Sequence, residues 1–97
     1  MATPLTPAKI RSALGALPGW AHKRNALVKT FTFGGFREAF SFMTRVAFEA
    51  EALDHHPDWT NVYQRVTVRL TTHSAGDKVT AGDVELARRI QRISWVG

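Results

Sequence analysis

The chain has 97 residues and a formal net charge of +5, with 44% hydrophobic residues, 22% charged residues and no cysteine. This composition excludes a disulfide framework and a thiolate site, and it is too apolar for a disordered chain. No segment approaches the ~18 consecutive apolar residues of a membrane span, and the N-terminal residues lack a signal-peptide pattern. We therefore expect one cytoplasmic domain, residues 1–97.

The thirteen lysines and arginines are spread along the chain, and only Arg88, Arg89 and Arg92 form a cluster of three within five residues. No stripe of positive charge alternates with aromatic residues, as it would in a surface for single-stranded nucleic acid. We interpret the three arginines as the solvated face of a terminal helix, and we do not expect a nucleic-acid partner.

The first third of the chain predicts a helix followed by a hairpin. Thr6 and Pro7 are typical of an N-cap and a first helical position, and apolar residues recur at helical spacing over residues 10–17. Residues 20–23 and 26–33 are predicted to be the two strands of the hairpin.

Residues 36–54 form the longest predicted helix. Its apolar stripe follows the i, i+3, i+4, i+7 spacing and consists of Phe36, Ala39, Phe40, Met43, Val46, Ala47 and Ala50. Phe42 and Phe48 fall outside this stripe. Two interpretations stay open: the helix buries a second face against another chain, or these two phenylalanines are isolated exposed residues.

The last part of the chain predicts a second hairpin and a third helix. Pro57 cannot continue the long helix, and residues 59–63 and 66–73 have the alternation of strands. Thr80 and Asp83 are spaced as in a capping box, which places a helix start there. Two hairpins separated by a helix indicate an α+β fold, with helices packed on one face of an antiparallel sheet.

The segment EALDHHPDWTNVY, residues 51–63, contains the adjacent pair His55 and His56. Both imidazoles lie at the predicted helix C-terminus, where the helix dipole favours positive charge. Glu51 lies four residues before His55 and shares its helix face, whereas the proline after His56 turns that ring elsewhere. Asp54 adds a second nearby carboxylate, so proton transfer near neutral pH is a reasonable expectation.

The second hairpin brings a third histidine to the same place. Because antiparallel strands run in opposite directions, His73 at the end of one strand lies near His56 and Trp59 at the start of the other. Trp59 and Tyr63 offer flat apolar faces to a planar ligand. His22 has no such argument and is expected at the surface.

Three interpretations of this histidine cluster remain. A zinc site is disfavoured because adjacent histidines rarely chelate one ion, and the common helical spacing is four. A purely structural role explains one histidine more easily than three. General acid–base chemistry on an aromatic, non-phosphorylated substrate is favoured, since no glycine-rich phosphate loop is present.

The residues also resemble a known family. The run Glu51-x3-His55-His56-Pro57, followed by Trp59, Tyr63, His73 and Asp83, is similar to the signature of the pterin-4a-carbinolamine dehydratases. The likeness covers about residues 14–93 and includes Trp20. It implies a four-stranded antiparallel sheet with three helices, assembled as a homodimer or homotetramer through the long helix and a sheet edge.

The resemblance further implies a reaction. Members dehydrate 4a-hydroxytetrahydropterin to quinonoid dihydropterin, which recycles the cofactor of aromatic amino-acid hydroxylases, and they use no metal and no organic cofactor. The pterin is then the small-molecule partner. The implied catalytic residues are His55, His56 and His73, and the implied substrate-binding residues are Glu51, Asp54, Trp59, Thr72, Trp20 and Asp83. Asp83 either holds His73 or only caps the last helix.

A second class of function is also known in this family. Some members act as dimerisation cofactors for a transcription factor or as assembly chaperones. The chaperones have lost the active-site residues, whereas this chain keeps Glu51, His55, His56 and His73. Catalysis is therefore the favoured interpretation, with a protein-interaction module as the alternative.

Overall fold

Three helices and four strands follow one another in the predicted order. In a computed structural model that describes residues 2–94, the elements are α1 (Pro7–Leu14), β1 (Ala21–Lys23), β2 (Ala26–Thr32), α2 (Phe36–Leu53), β3 (Asp58–Val62), β4 (Arg65–Leu70) and α3 (Ala81–Ile93). The α+β prediction is confirmed. The predicted domain, 1–97, also includes residue 1 and residues 95–97, which lie outside the described residues.

The four strands form one antiparallel sheet in the order β1-β2-β4-β3. The β2–β4 register pairs Leu27 with Leu70 and Phe31 with Val66, so these four apolar side chains share the face that the helices cover. On the opposite face, Thr30 and Thr67 form a hydrogen bond between their hydroxyls at 3.0 Å. One face of the sheet is therefore apolar and covered, and the other is polar.

The core is closed by α2 and α3. The buried side chains of α2 are Ala39, Phe42, Val46 and Ala50, and those of α3 are Asp83, Val84, Leu86, Ala87 and Ile90. The one buried charged residue among them, Asp83, needs polar partners, because an unpaired buried carboxylate is strongly destabilising. Within residues 2–94, none of the helices combines the length and the apolar content of a transmembrane span.

The predicted apolar stripe of α2 is partly wrong. Phe42, placed outside the stripe, is fully buried, whereas Phe36 and Phe40, placed within it, are 50% and 57% exposed. Phe48 is 71% exposed in the single chain, which fits either interpretation of this residue. The helix is apolar on two faces, and periodicity alone does not identify the face that meets the sheet.

The chain changes direction sharply at two places, after α2 and after β4. Helix α2 ends at Leu53, and the next residue, Asp54, adopts a left-handed conformation with φ of 51°. Strand β4 ends at Leu70, three residues before the predicted end, and the chain enters a short 3₁₀ helix at His73–Ala75. Both changes of direction occur beside the histidines and determine where their rings lie.

Candidate active site

The C-terminal end of α2, the segment leading into β3 and the segment after β4 meet at one edge of the sheet. Because β3 pairs antiparallel with β4, Asp58 at the start of one strand is opposite Arg69 near the end of the other. A cavity of about 370 Å³ lies at this edge and is lined by Asp54, His55, His56, Thr71, Thr72, His73 and Ser74. The structure therefore brings together the three histidines that the sequence placed near one another.

His55 is held by the buried carboxylate of Asp83. Its Nε2 lies 2.5 Å from Oδ1 of Asp83, and the two side chains are 18% and 0% exposed. An ionised carboxylate can only accept hydrogen bonds, so Nε2 carries the hydrogen between the two groups, and in the neutral ring Nδ1 carries the lone pair. Asp83 was expected to hold His73 or only to cap α3; it instead holds His55 and also caps the helix.

The carboxylate of Asp83 is fixed by two further donors. Its Oδ2 accepts the hydroxyl hydrogen of Thr72 at 2.7 Å and the backbone N–H of Thr80 at 2.8 Å. The Thr80 hydroxyl lies 2.7 Å from that of Thr72 and can donate to it. Because the Thr72 hydrogen is used by Asp83, the side chain of Thr72 serves first to hold the His55–Asp83 pair.

His56 is paired with a different carboxylate from the one its neighbour uses. Its Nε2 lies 2.9 Å from Oε1 of Glu51, on side chains that are 60% and 81% exposed. The prediction that Glu51 shares a face with His55 and that His56 points elsewhere is wrong. The helical spacing on which it depended ends at Leu53, and the left-handed Asp54 rotates the following residues.

His73 is the most exposed of the three histidines. Its side chain is 97% exposed, and Nδ1 lies 3.1 Å from Oδ1 of Asp77. Asp77 was not among the predicted site residues, although a carboxylate four residues after a histidine in a glycine-containing loop could have suggested it. Each imidazole therefore has one nitrogen bound to a carboxylate, which leaves Nδ1 of His55, Nδ1 of His56 and Nε2 of His73 for other partners.

The aromatic residues assigned to the pocket walls lie elsewhere. Trp20 is buried in the core, and its indole N–H donates to Oε1 of Gln91 at 3.0 Å. Trp59 lines an apolar groove of about 260 Å³ beside α2 instead of the histidine cavity. Tyr63 lies in the turn after β3, at the far end of that strand. The structure thus brings none of these three rings to the lining of the cavity.

His22 is exposed on β1, as predicted.

Two of the described residues outside the cavity have shifted pKa values. Burial lowers the pKa of Lys29, whose ammonium donates to Gln91 and to the carbonyl of Pro18. A hydrogen bond to Glu85 raises the pKa of Arg89. Within residues 2–94, no three side chains of the histidine and carboxylate types are placed together as ligands for a metal ion.

Known proteins resemble this chain along nearly its whole length. The sequence model of the family described as Pterin 4 alpha carbinolamine dehydratase matches residues 3–93. Relatives named pterin-4-alpha-carbinolamine dehydratase include one from Opitutus terrae, 69% identical over 100% of both chains, and one from Bradyrhizobium diazoefficiens, 52% identical over 97% of this chain and 95% of the relative.

A solved structure from Brucella melitensis, described as a transcriptional coactivator/pterin dehydratase, superposes with a TM-score of 0.88. It is 44% identical and covers 94% of this chain and 98% of its own. The fold is therefore that of a pterin dehydratase. The chain belongs to the pterin 4 alpha carbinolamine dehydratase family. The predicted enzyme class, a hydro-lyase, is confirmed at this level, since the relatives are named as dehydratases.

Proposed function

We propose that this protein dehydrates 4a-hydroxytetrahydropterin to quinonoid dihydropterin by proton transfer through His55, His56 and His73. The observation that supports this most directly is the single cavity with three imidazoles, each of which has one nitrogen bound to a carboxylate. Such pairing fixes the tautomer and the ring orientation, which a positioned acid or base requires.

The reaction needs two proton transfers. The hydroxyl on carbon 4a leaves as water after it receives a proton, and a ring nitrogen of the pterin loses a proton. A protonated imidazole can supply the first proton and a neutral imidazole can accept the second, so the number of protons on the protein is unchanged. We assign His55 and His56 to the hydroxyl side of the pterin, and His73 to the assisting proton transfer.

The carboxylates have two kinds of role in this proposal. Glu51 orients His56 and Asp83 orients His55, in keeping with their hydrogen bonds. Asp54 lines the cavity and is exposed, so it is available to accept hydrogen bonds from the amino-pyrimidine edge of the pterin. Thr72 supports Asp83, in addition to lining the cavity.

The test is a direct dehydration assay on 4a-hydroxytetrahydropterin with His55→Ala, His56→Ala and His73→Ala. A positioned acid or base contributes roughly 10²–10⁴-fold in rate, so we expect the variants to be strongly slowed. His22→Ala removes an exposed histidine on β1 and is the matched control, with a rate like that of the wild type. Unchanged rates in all three variants would remove the assignment.

The physiological part of the proposal is recycling of the cofactor of aromatic amino-acid hydroxylases, in the cytoplasm. Its test is a coupled reaction in which a hydroxylase produces the 4a-hydroxypterin and a reductase consumes the quinonoid product. Addition of this protein is expected to raise the steady-state turnover of the hydroxylase when dehydration is limiting. Addition of the slowest histidine variant is expected to leave that turnover unchanged. If turnover does not rise although the protein is active in the direct assay, the proposed dehydration stands and the proposed recycling of the hydroxylase cofactor is contradicted.

We also propose that the exposed face of α2 and the β3 edge mediate self-association into a dimer or tetramer. Phe40 and Phe48 are 57% and 71% exposed and, with Trp59, line the apolar groove beside α2. Apolar patches of this kind are typical of interfaces. Phe48→Ser is expected to lower the molar mass measured by light scattering, whereas Thr30→Ser on the polar sheet face is not. An unchanged mass would argue against this interface.

A protein-interaction module remains the second candidate function, and the same exposed α2 face is the observation that favours it. The Brucella melitensis protein is described as a coactivator as well as a dehydratase. A wild-type protein with no measurable dehydration of 4a-hydroxytetrahydropterin, under conditions where a known dehydratase is active, would favour this alternative.

A further inference from the structure

Asp77 is a residue to which the proposed function has assigned no role. His73 is 97% exposed, so packing against neighbouring side chains does not fix its ring. Among residues 2–94, the hydrogen bond from its ring goes to Oδ1 of Asp77, at 3.1 Å. The orientation and tautomer of His73 therefore depend on this carboxylate.

The loop that carries Asp77 is held by backbone hydrogen bonds to Thr72. The Thr72 carbonyl accepts the N–H groups of Ala75 at 3.1 Å and Asp77 at 3.0 Å, and the Thr72 N–H donates to the Lys78 carbonyl at 3.0 Å. Gly76 and Asp77 both adopt left-handed conformations, with φ of 74° and 59°. The chain thus turns back on itself and brings the carboxylate to the imidazole four residues earlier.

We propose that Asp77 is a positioning residue for His73, and this proposal rests on the proposed role of His73 in dehydration. The carboxylate accepts the hydrogen of Nδ1, so the lone pair of the neutral ring is on Nε2. Neutral histidine in water carries its hydrogen mainly on Nε2, which would leave the opposite nitrogen as the base. Asp77 therefore selects the tautomer in which Nε2 accepts a proton.

Two substitutions separate the carboxylate from the loop conformation. Asp77→Gly removes the acceptor and keeps a residue that readily adopts positive φ, whereas Asp77→Asn keeps an oxygen acceptor and also tolerates this conformation. We expect Asp77→Gly to lower kcat by about two- to fivefold, the range that an exposed contact between a carboxylate and its partner supports, with little change in KM. Asp77→Asn is expected to stay close to the wild-type rate.

A double-mutant comparison tests whether Asp77 acts through His73. In the His73→Ala background, Asp77→Gly is expected to cause no further loss of kcat. Nitrogen chemical shifts of the His73 ring, measured by NMR above its titration, are expected to show the Nδ1–H tautomer in the wild type and in Asp77→Asn. They are expected to shift toward the Nε2–H tautomer in Asp77→Gly.

Several outcomes would overturn this proposal. An equal loss of kcat from Asp77→Gly with and without His73 would show that Asp77 supports the loop only. An unchanged tautomer in Asp77→Gly, or a wild-type rate in His73→Ala, would also overturn it. If the wild-type protein does not dehydrate 4a-hydroxytetrahydropterin at all, the proposed function fails, and the catalytic part of this inference fails with it. The NMR comparison then still reports separately whether Asp77 selects the tautomer.

Discussion

Replacement of Asp83 by asparagine and by alanine separates the two roles of one buried carboxylate. Asp83 is fully buried and accepts hydrogen bonds from His55, Thr72 and the N–H of Thr80. Asparagine keeps one oxygen for Thr72 and Thr80, but its amide N–H₂ then faces Nε2 of His55. Because an amide N–H₂ can only donate, it cannot accept the Nε2 hydrogen of a protonated ring, so the imidazolium that would give a proton from Nδ1 loses the carboxylate that stabilises it.

The expected magnitudes differ between the two variants. In Asp83→Ala, the Thr80 N–H loses its acceptor, at about 1–3 kcal/mol, and the lost bond to His55 adds about 1 kcal/mol. The Thr72 hydroxyl adds no further cost, because it can donate to the Thr80 hydroxyl instead. A total of about 2–4 kcal/mol corresponds to a fall in Tm of about 8–30 °C for a domain of this size. Asp83→Asn is expected to cost about 1 kcal/mol and to lower kcat at least about tenfold.

Thermal unfolding followed by circular dichroism, together with the dehydration assay, checks both variants. Asp58→Ala is the control, because it also removes a carboxylate, but one whose side chain is 73% exposed. Oδ2 of Asp58 lies 3.8 Å from Nη1 of Arg69. An exposed pair of this kind contributes little, so the control is expected to change stability by about 0.5 kcal/mol or less. The reasoning is refuted if Asp83→Asn keeps the wild-type rate, or if Asp83→Ala is no less stable than the control.

Two further predictions concern residues away from the histidines. Phe42→Ala is expected to lower the free energy of unfolding by about 3–5 kcal/mol, because the ring is fully buried. Urea unfolding of the monomer measures this, with Phe48→Ala as the exposed control. A smaller loss of stability in Phe42→Ala than in Phe48→Ala would contradict the fold. Tyr63→Asn is expected to raise stability by about 0.5–1 kcal/mol, because Tyr63 has φ of 50° and asparagine tolerates that conformation better. The dehydration rate of Tyr63→Asn is expected to be unchanged, because Tyr63 does not line the histidine cavity, and a slower rate would contradict this.

The order of elements could be predicted from the sequence because it depends on local signals. The capping box of Thr80 and Asp83 and the alternation in β4 each act within a few residues. The face of α2 that meets the sheet could not be predicted, because phenylalanines lie on both sides of the helix. Phe42 was misplaced for this reason.

The candidate site was predicted as a group of histidines but not as a set of pairs. Antiparallel pairing was enough to bring His73 near His56. The carboxylate that each ring uses depends on one left-handed residue, Asp54, and on a turn after β4, and neither follows from residue type. Trp20 was assigned to the pocket through the resemblance to the family, whereas the structure buries its ring in the core.

The His55–Asp83 bond joins positions 28 residues apart, across the entire second hairpin. During synthesis, a ribosome that has released α2, both strands of that hairpin and the 3₁₀ helix His73–Ala75 has exposed all three imidazoles, but the buried acceptor for His55 emerges only with α3. The growing polypeptide is thus expected to be inert toward the pterin until its final helix docks. Acquisition of activity by nascent chains of increasing length would then mark the completion of folding.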